Sequence, residues 1–187
     1  MKGKEHMIVG TTATATMGVG FLITKTFDSA FYIVPLVLGG FIGSYMPDID
    51  SYNSKARQVF NKIFVFIILA AVIGYFLGIA LTVNDIIVFL ENNGSNFFAL
   101  ILFSVLTILG KLSPHRMFTH KWLGTVLFCY SVYLSGNIYL TLGFVMGYVL
   151  HIVCDRFSPR GKNLKFFEFK LPCKNSKNKT SITWWGF

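Results

Sequence analysis

At 187 residues, with 53% hydrophobic and only 13% charged side chains, the chain is too apolar for an ordinary water-soluble domain, where roughly a quarter of residues are charged. Its net charge of +9 would suggest nucleic acid in a soluble protein. In a membrane protein the placement of those charges matters more than their sum, and nucleic acid is not an expected partner.

Six apolar stretches read as transmembrane helices, each needing roughly 20 residues to cross a bilayer. In chain order they are Met7 to Thr24, Ser29 to Met46, Ile63 to Leu81, Phe97 to Leu109, Trp122 to Leu134 and Ile138 to Val153. The first carries GTTATATMGVG and the second VLGGFIGS, small-residue surfaces that let helices approach closely in lipid. Pro47 ends the second, and DIDSYNSKARQ is expected as a polar loop. Between Thr82 and Asn96 a loop is expected on the far side, with NDIIVFL too short to span and lying in the interface. The chain therefore reads as all-α, a polytopic membrane helical bundle of about six helices, seated in the plasma or inner membrane.

Threading six helices with the N-terminus inside puts every lysine and arginine except Lys25 on one side. The positive-inside rule makes that side cytoplasmic, with both termini on it. From Arg156 onward basic residues alternate with aromatic ones, the composition of a segment resting on anionic lipid headgroups. Cys129, Cys154 and Cys173 have no paired spacing and are expected to be reduced fillers. No cleavable signal peptide is expected in the first apolar run.

Seven possible metal ligands fall at the ends of these stretches: His6, Asp48, Asp50, His115, His120, His151 and Asp155. Histidine and carboxylate suit zinc, manganese and iron. The topology was set by lysine and arginine alone, yet it lands all seven on the cytoplasmic face, which favours one shared site. His151 and Asp155 stand one helical turn apart, so they can share a metal, or the carboxylate can orient the imidazole. Asp48 and Asp50 diverge and suit one carboxylate per metal, or one bridging ligand and one base. If both His115 and His120 bind metal, Pro114 must start a helix, with His115 at its uncoiled beginning. Arg116 is then near an anion site, since its guanidinium fork matches phosphate oxygens.

His6 with Gly10, PDID followed by DSYNSKARQ, HRMFTH, and GYVLHIVCDRFSPRG together resemble the membrane-bound metal-dependent hydrolases, also described as LexA-binding, inner-membrane-associated hydrolases. The resemblance covers His6 to about Gly161. It implies a helical, zinc-dependent hydrolase distantly similar to the zinc-dependent phospholipases C and their related nucleases. Its ligands would be His6, Asp48, Asp50, His115, His120, His151 and Asp155. It also divides the chain into a membrane-embedded hydrolase-like domain, 1–161, and a basic, aromatic cytoplasmic tail, 162–187. Two features depart from the family: Lys121 stands where Ser usually follows the second histidine, and Arg156 to Lys165 is unusually basic.

The expected chemistry is hydrolysis of a phosphoester, with a phospholipid as one candidate, by a water bridging two or more divalent metals, in which Asp50 serves as ligand or base and Arg116 stabilises developing charge. The alternative is a membrane-anchored binding module for a cytoplasmic regulatory protein. A metal-ion transporter ranks last, because the centres of the apolar stretches hold no acidic or histidine residue.

Overall fold

A computed structural model describes residues 3–76, 83–158 and 165–168. These form six α-helices: α1 Gly3–Ile23, α2 Ile33–Tyr45, α3 Lys55–Phe76, α4 Val83–Leu112, α5 Trp122–Tyr133 and α6 Ile138–Phe157. Short 3-10 turns at Ala30–Tyr32 and Met46–Asp50 flank α2, and the described residues hold no strand. Four segments are long and apolar enough to cross a membrane: Glu5–Ile23, Ala30–Asp50, Lys55–Gly74 and Ile138–Phe157. Asn96–Leu112 and Trp122–Tyr133 are shorter apolar helices.

Two boundaries differ most from the sequence reading. The helix expected at Ile63 starts at Lys55, because the Ser54 hydroxyl accepts from Arg57 N at 3.1 Å and caps it. The cap acts before the apolar run begins, so hydropathy underestimates the helix by two turns. On the far side, Asn84 to Leu90 forms the first turns of α4 rather than a separate interfacial segment. No proline interrupts the stretch, and polar residues can propagate a helix already under way. The last part of the expected third span, 77–81, and residues 162–164 and 169–187 of the expected tail lie outside the described residues.

α2 and α6 form the centre of the bundle, and they touch backbone to backbone. A Cβ added at Gly39 would collide with the Leu140 carbonyl, at Gly43 with that of Phe144, at Gly143 with that of Leu36 and at Gly147 with that of Gly40. Each helix thus offers two glycines four apart to the other, the spacing that lets helices close up in lipid. α1 packs on the same pair, with Gly10 against Ser44 and Thr14 against Gly40. Thr11 and Thr14 donate back to Met7 O and Gly10 O, so their hydroxyls stay satisfied in an apolar setting. Beside this crossing, Met46, Leu106, Phe118, Phe128, Val132, Phe144, Tyr148 and Ile152 make the apolar core with α4 and α5.

This packing gathers the N-terminal ends of α1 and α5 and the C-terminal ends of α2, α4 and α6 at one end of the bundle. α3 is tied in there too, through Arg57 Nη1 donating to Lys111 O at 3.1 Å and Lys111 Nζ to Asn61 Oδ1. Gly143→Ala should lower stability by about 1 to 3 kcal/mol through overpacking. Gly20→Ala, with open space around it, should leave stability unchanged or raise it by up to about 1 kcal/mol. Denaturation by dodecyl sulfate in mixed micelles measures both, and equal effects would contradict a backbone-contact crossing.

Candidate metal centre

Pro47 has no N–H to continue the α2 ladder, and the chain tightens into the Met46–Asp50 3-10 turn. Two residues apart on that turn, Asp48 and Asp50 diverge as expected. Asp48 turns toward α6, where its Oδ1 lies 3.6 Å from His151 Nε2. Asp50 turns toward the 113–121 loop and is fully buried there.

Asp50 gathers that loop around itself. Its Oδ1 meets His115 Nδ1 at 2.8 Å, and its Oδ2 accepts from Arg116 N at 2.7 Å. The same Oδ2 lies 3.2 Å from His120 Nδ1 and 2.8 Å from the Thr119 hydroxyl, which is also 2.8 Å from Pro47 O. Arg116 is held at φ 64, the left-handed region that a side chain seldom occupies. Its amide bond to Asp50 and a guanidinium bond from Nη2 to Asp155 Oδ2 at 3.0 Å hold it in that conformation. Tyr148 OH donates to Thr119 O at 2.6 Å, anchoring the loop to α6. No helix starts at Pro114: the loop is a series of turns, and α5 begins only at Trp122. Six donor and acceptor contacts from Asp50, Pro47 and Tyr148 outcompete helical hydrogen bonding in this stretch.

The tautomers follow from these partners. His151 Nδ1 donates to Ser44 O at 2.7 Å, a carbonyl in the last turn of α2. His120 Nδ1 faces Asp50 and the Thr119 hydroxyl. Each ring therefore keeps its Nε2 lone pair, and both Nε2 atoms are buried without a hydrogen-bond partner. Such groups cost roughly 1 to 3 kcal/mol apiece when nothing meets them. His6 stacks on His151 with ring centroids 4.2 Å apart and brings its Nε2 to 3.2 Å from Asp155 Oδ1. Asp155 Oδ2 is 3.6 Å from His120 Nε2.

Two overlapping triads have all their ligand atoms within 4.8 Å of one another: His6, His151 and Asp155, and Asp48, His120 and His151. An ion bonded at about 2.1 Å spaces its ligands at roughly 3.0 to 3.4 Å. Contacts of 3.2 and 3.6 Å are near that spacing, and the orphaned nitrogens converge with the carboxylates. His6, Asp48, His120, His151 and Asp155 could therefore hold a metal ion together.

The remaining sequence candidates fall around this set. Asp50 lies behind it, holding His115 and His120 by their Nδ1 atoms, where a carboxylate would orient imidazoles toward an ion. His115 belongs to neither triad, and its side chain is 47% exposed, while those of His120 and His151 are fully buried. The hydrogen bond from Asp50 raises the His115 pKa, against the partial burial that lowers it. Arg116 and Asp48 are 25% and 22% exposed, so the cluster opens toward Asp48, Arg116 and His115.

Sequence reasoning missed the residues that fasten the site. Thr119 lies inside HRMFTH but offered no signal beyond its hydroxyl. Lys121 is buried, with Nζ bonded to Lys165 O and, at 2.9 Å, to Glu168 Oε2. Trp122 N donates to Phe166 O at 3.1 Å. Residues 165–168 of the expected tail thus pack on the start of α5, directly after His120. The lysine that departs from the resembled family's serine has an acidic partner 47 residues away.

The family described as YdjM inner membrane protein matches residues 1–184, and the chain belongs to it. That bears out an inner-membrane protein and assigns no activity. No curated protein and no solved structure matches the chain.

A buried lysine stripped of its carboxylate costs more than the pair removed together. Glu168→Ala should therefore destabilise the protein more than the double variant with Lys121→Ser, by a coupling of about 1 to 3 kcal/mol. A double-mutant cycle read by thermal unfolding in detergent gives the number, and strict additivity would show that the contact carries nothing.

Proposed function

We propose that this inner-membrane protein is a metal-dependent hydrolase acting on a phosphoester at the cytoplasmic face of the membrane. The observation that carries the reading is the pair of buried, unpartnered Nε2 atoms of His120 and His151, converging with Asp48 and Asp155 at a site that is open on one side. The donor set of imidazoles and carboxylates suits zinc best, with manganese or iron as substitutes. A bound divalent ion would supply Lewis acidity and a water activated near neutral pH.

The chain's own residues divide the remaining work. His6, Asp48, His120, His151 and Asp155 bind; Asp50 and the Ser44 carbonyl orient His120 and His151. Arg116, beside Asp155 on the open side, is placed to meet non-bridging phosphoryl oxygens, and its backbone strain is the kind found where a side chain must be aimed.

The cytoplasmic assignment rests on charge. Lys55, Arg57, Lys62, Lys111, Arg116, Lys121 and Arg156 all lie on the site's end of the bundle, and Lys25 lies at the other. A site at the ends of membrane helices is at headgroup depth, which favours a phospholipid or another amphiphilic phosphoester. A binding module for a cytoplasmic regulatory protein would be served by a closed, fully ligated ion. The exposure of Asp48, His115 and Arg116 on one side favours the enzyme. The ionisable cluster lies at helix ends and not at mid-span, which disfavours a transporter.

Detergent-purified protein should carry about one zinc per chain and hydrolyse a phosphodiester, with activity lost to a chelator and restored by zinc. His120→Ala and Asp155→Ala should each lose the metal, measured by elemental analysis. Full metal content in both variants would defeat the shared site.

A further inference from the structure

We propose that His115 delivers the proton to the leaving group, oriented by Asp50. The inference rests on the phosphoester-hydrolase reading and assigns His115 and Asp50 roles other than metal ligation. Three observations carry it. His115 is the exposed histidine of the cluster, outside both triads, with its ring edge-on to His120 at 5.5 Å between centroids. It therefore stands beside the His120 ring, on the same Asp50 carboxylate, and is partly exposed as its neighbour Arg116 is. Its Nδ1 is taken by Asp50 Oδ1 at 2.8 Å, so Nε2 is the nitrogen left for chemistry.

Asp50 itself is unable to turn, because Arg116 N and the Thr119 hydroxyl grip its other oxygen from within the core. A half-exposed imidazole on a buried, fully engaged carboxylate has its ring orientation and tautomer set by the protein. That is the relationship between the carboxylate and the base in hydrolytic triads.

In the step assigned to it, the water oxygen bonds to phosphorus as the bond from phosphorus to the leaving oxygen breaks. The electron pair of that bond goes to the leaving oxygen, which takes a proton from His115 Nε2. The attacking water releases a proton to solvent, and solvent returns one to His115. An alkoxide leaves poorly without that proton, whereas an aryl oxide leaves well alone, so the role has a signature in the leaving group.

The test compares zinc-loaded wild type with His115→Asn on a glycerophosphodiester and on a para-nitrophenyl phosphodiester. Activity on the alkyl ester should fall about 10²- to 10⁴-fold and on the aryl ester by less than about 10-fold. Zinc content should match wild type. Independently of turnover, nitrogen NMR of the metal-free protein should find the His115 proton on Nδ1, with that preference lost in Asp50→Ala. Loss of zinc from His115→Asn would make His115 a ligand and overturn the assignment, as would equal losses on both esters or a neutral ring whose single proton sits on Nε2. A zinc-bound wild type that hydrolyses neither ester would bring down the hydrolase reading and this step together.

Discussion

The crossing of α2 and α6 is the constraint on which the site depends. Gly39 and Gly43 press on the Leu140 and Phe144 backbone, and Gly143 and Gly147 on that of Leu36 and Gly40, with no room for a methyl group. One turn beyond Gly43 comes Pro47, and one turn beyond Gly147 comes His151. Because the backbones touch, the Ser44 carbonyl reaches the His151 ring and the Met46–Asp50 turn comes up against the last turns of α6. Lipid offers no hydrophobic force to press helices together, so this shape match supplies the closeness that buried polar groups need.

The same closeness creates a problem that the surrounding hydrogen bonds only partly solve. Three histidines and Asp50 and Asp155 are buried in a protein with few charges, and buried polar groups are costly unless each finds a partner. Asp50 finds partners on both oxygens, and Asp155 finds Arg116 and His6. The Nε2 atoms of His120 and His151 have no hydrogen-bond partner, only carboxylate oxygens at 3.6 Å. An arrangement that satisfies the outer nitrogen of each ring and leaves the inner one bare is stabilised by an ion that takes the bare ones. Folding and metal loading would then be coupled, since the ion would remove the cost that the bare nitrogens introduce.

Much of this was legible in the chain because its polar residues are so few. The ends of apolar runs located His6, Asp48, His120, His151 and Asp155, and the lysines and arginines set them on a common face without reference to chemistry. The one-turn spacing of His151 and Asp155 survived intact on α6. What spacing could not separate was Asp48 from Asp50, or His115 from His120. Those distinctions depend on which side of a 3-10 turn faces α6, and on a loop whose shape is dictated by a carboxylate 65 residues away. The partnership of Lys121 with Glu168 was equally hidden, because long-range pairs leave no periodicity. The start of α3 was missed because a serine cap, rather than apolarity, decides where that helix begins.

The central claim is that five side chains from α1, the turn after α2, the loop before α5, and α6 close around one ion. Anomalous diffraction at the zinc edge from crystals of the zinc-loaded protein tests it most directly. The account predicts a single peak about 2.1 Å from Nε2 of His120 and of His151, with His6 and the Asp48 and Asp155 oxygens completing the shell. A peak seated instead between His115 and Asp50, or none at the cluster in protein shown to contain zinc, would contradict it.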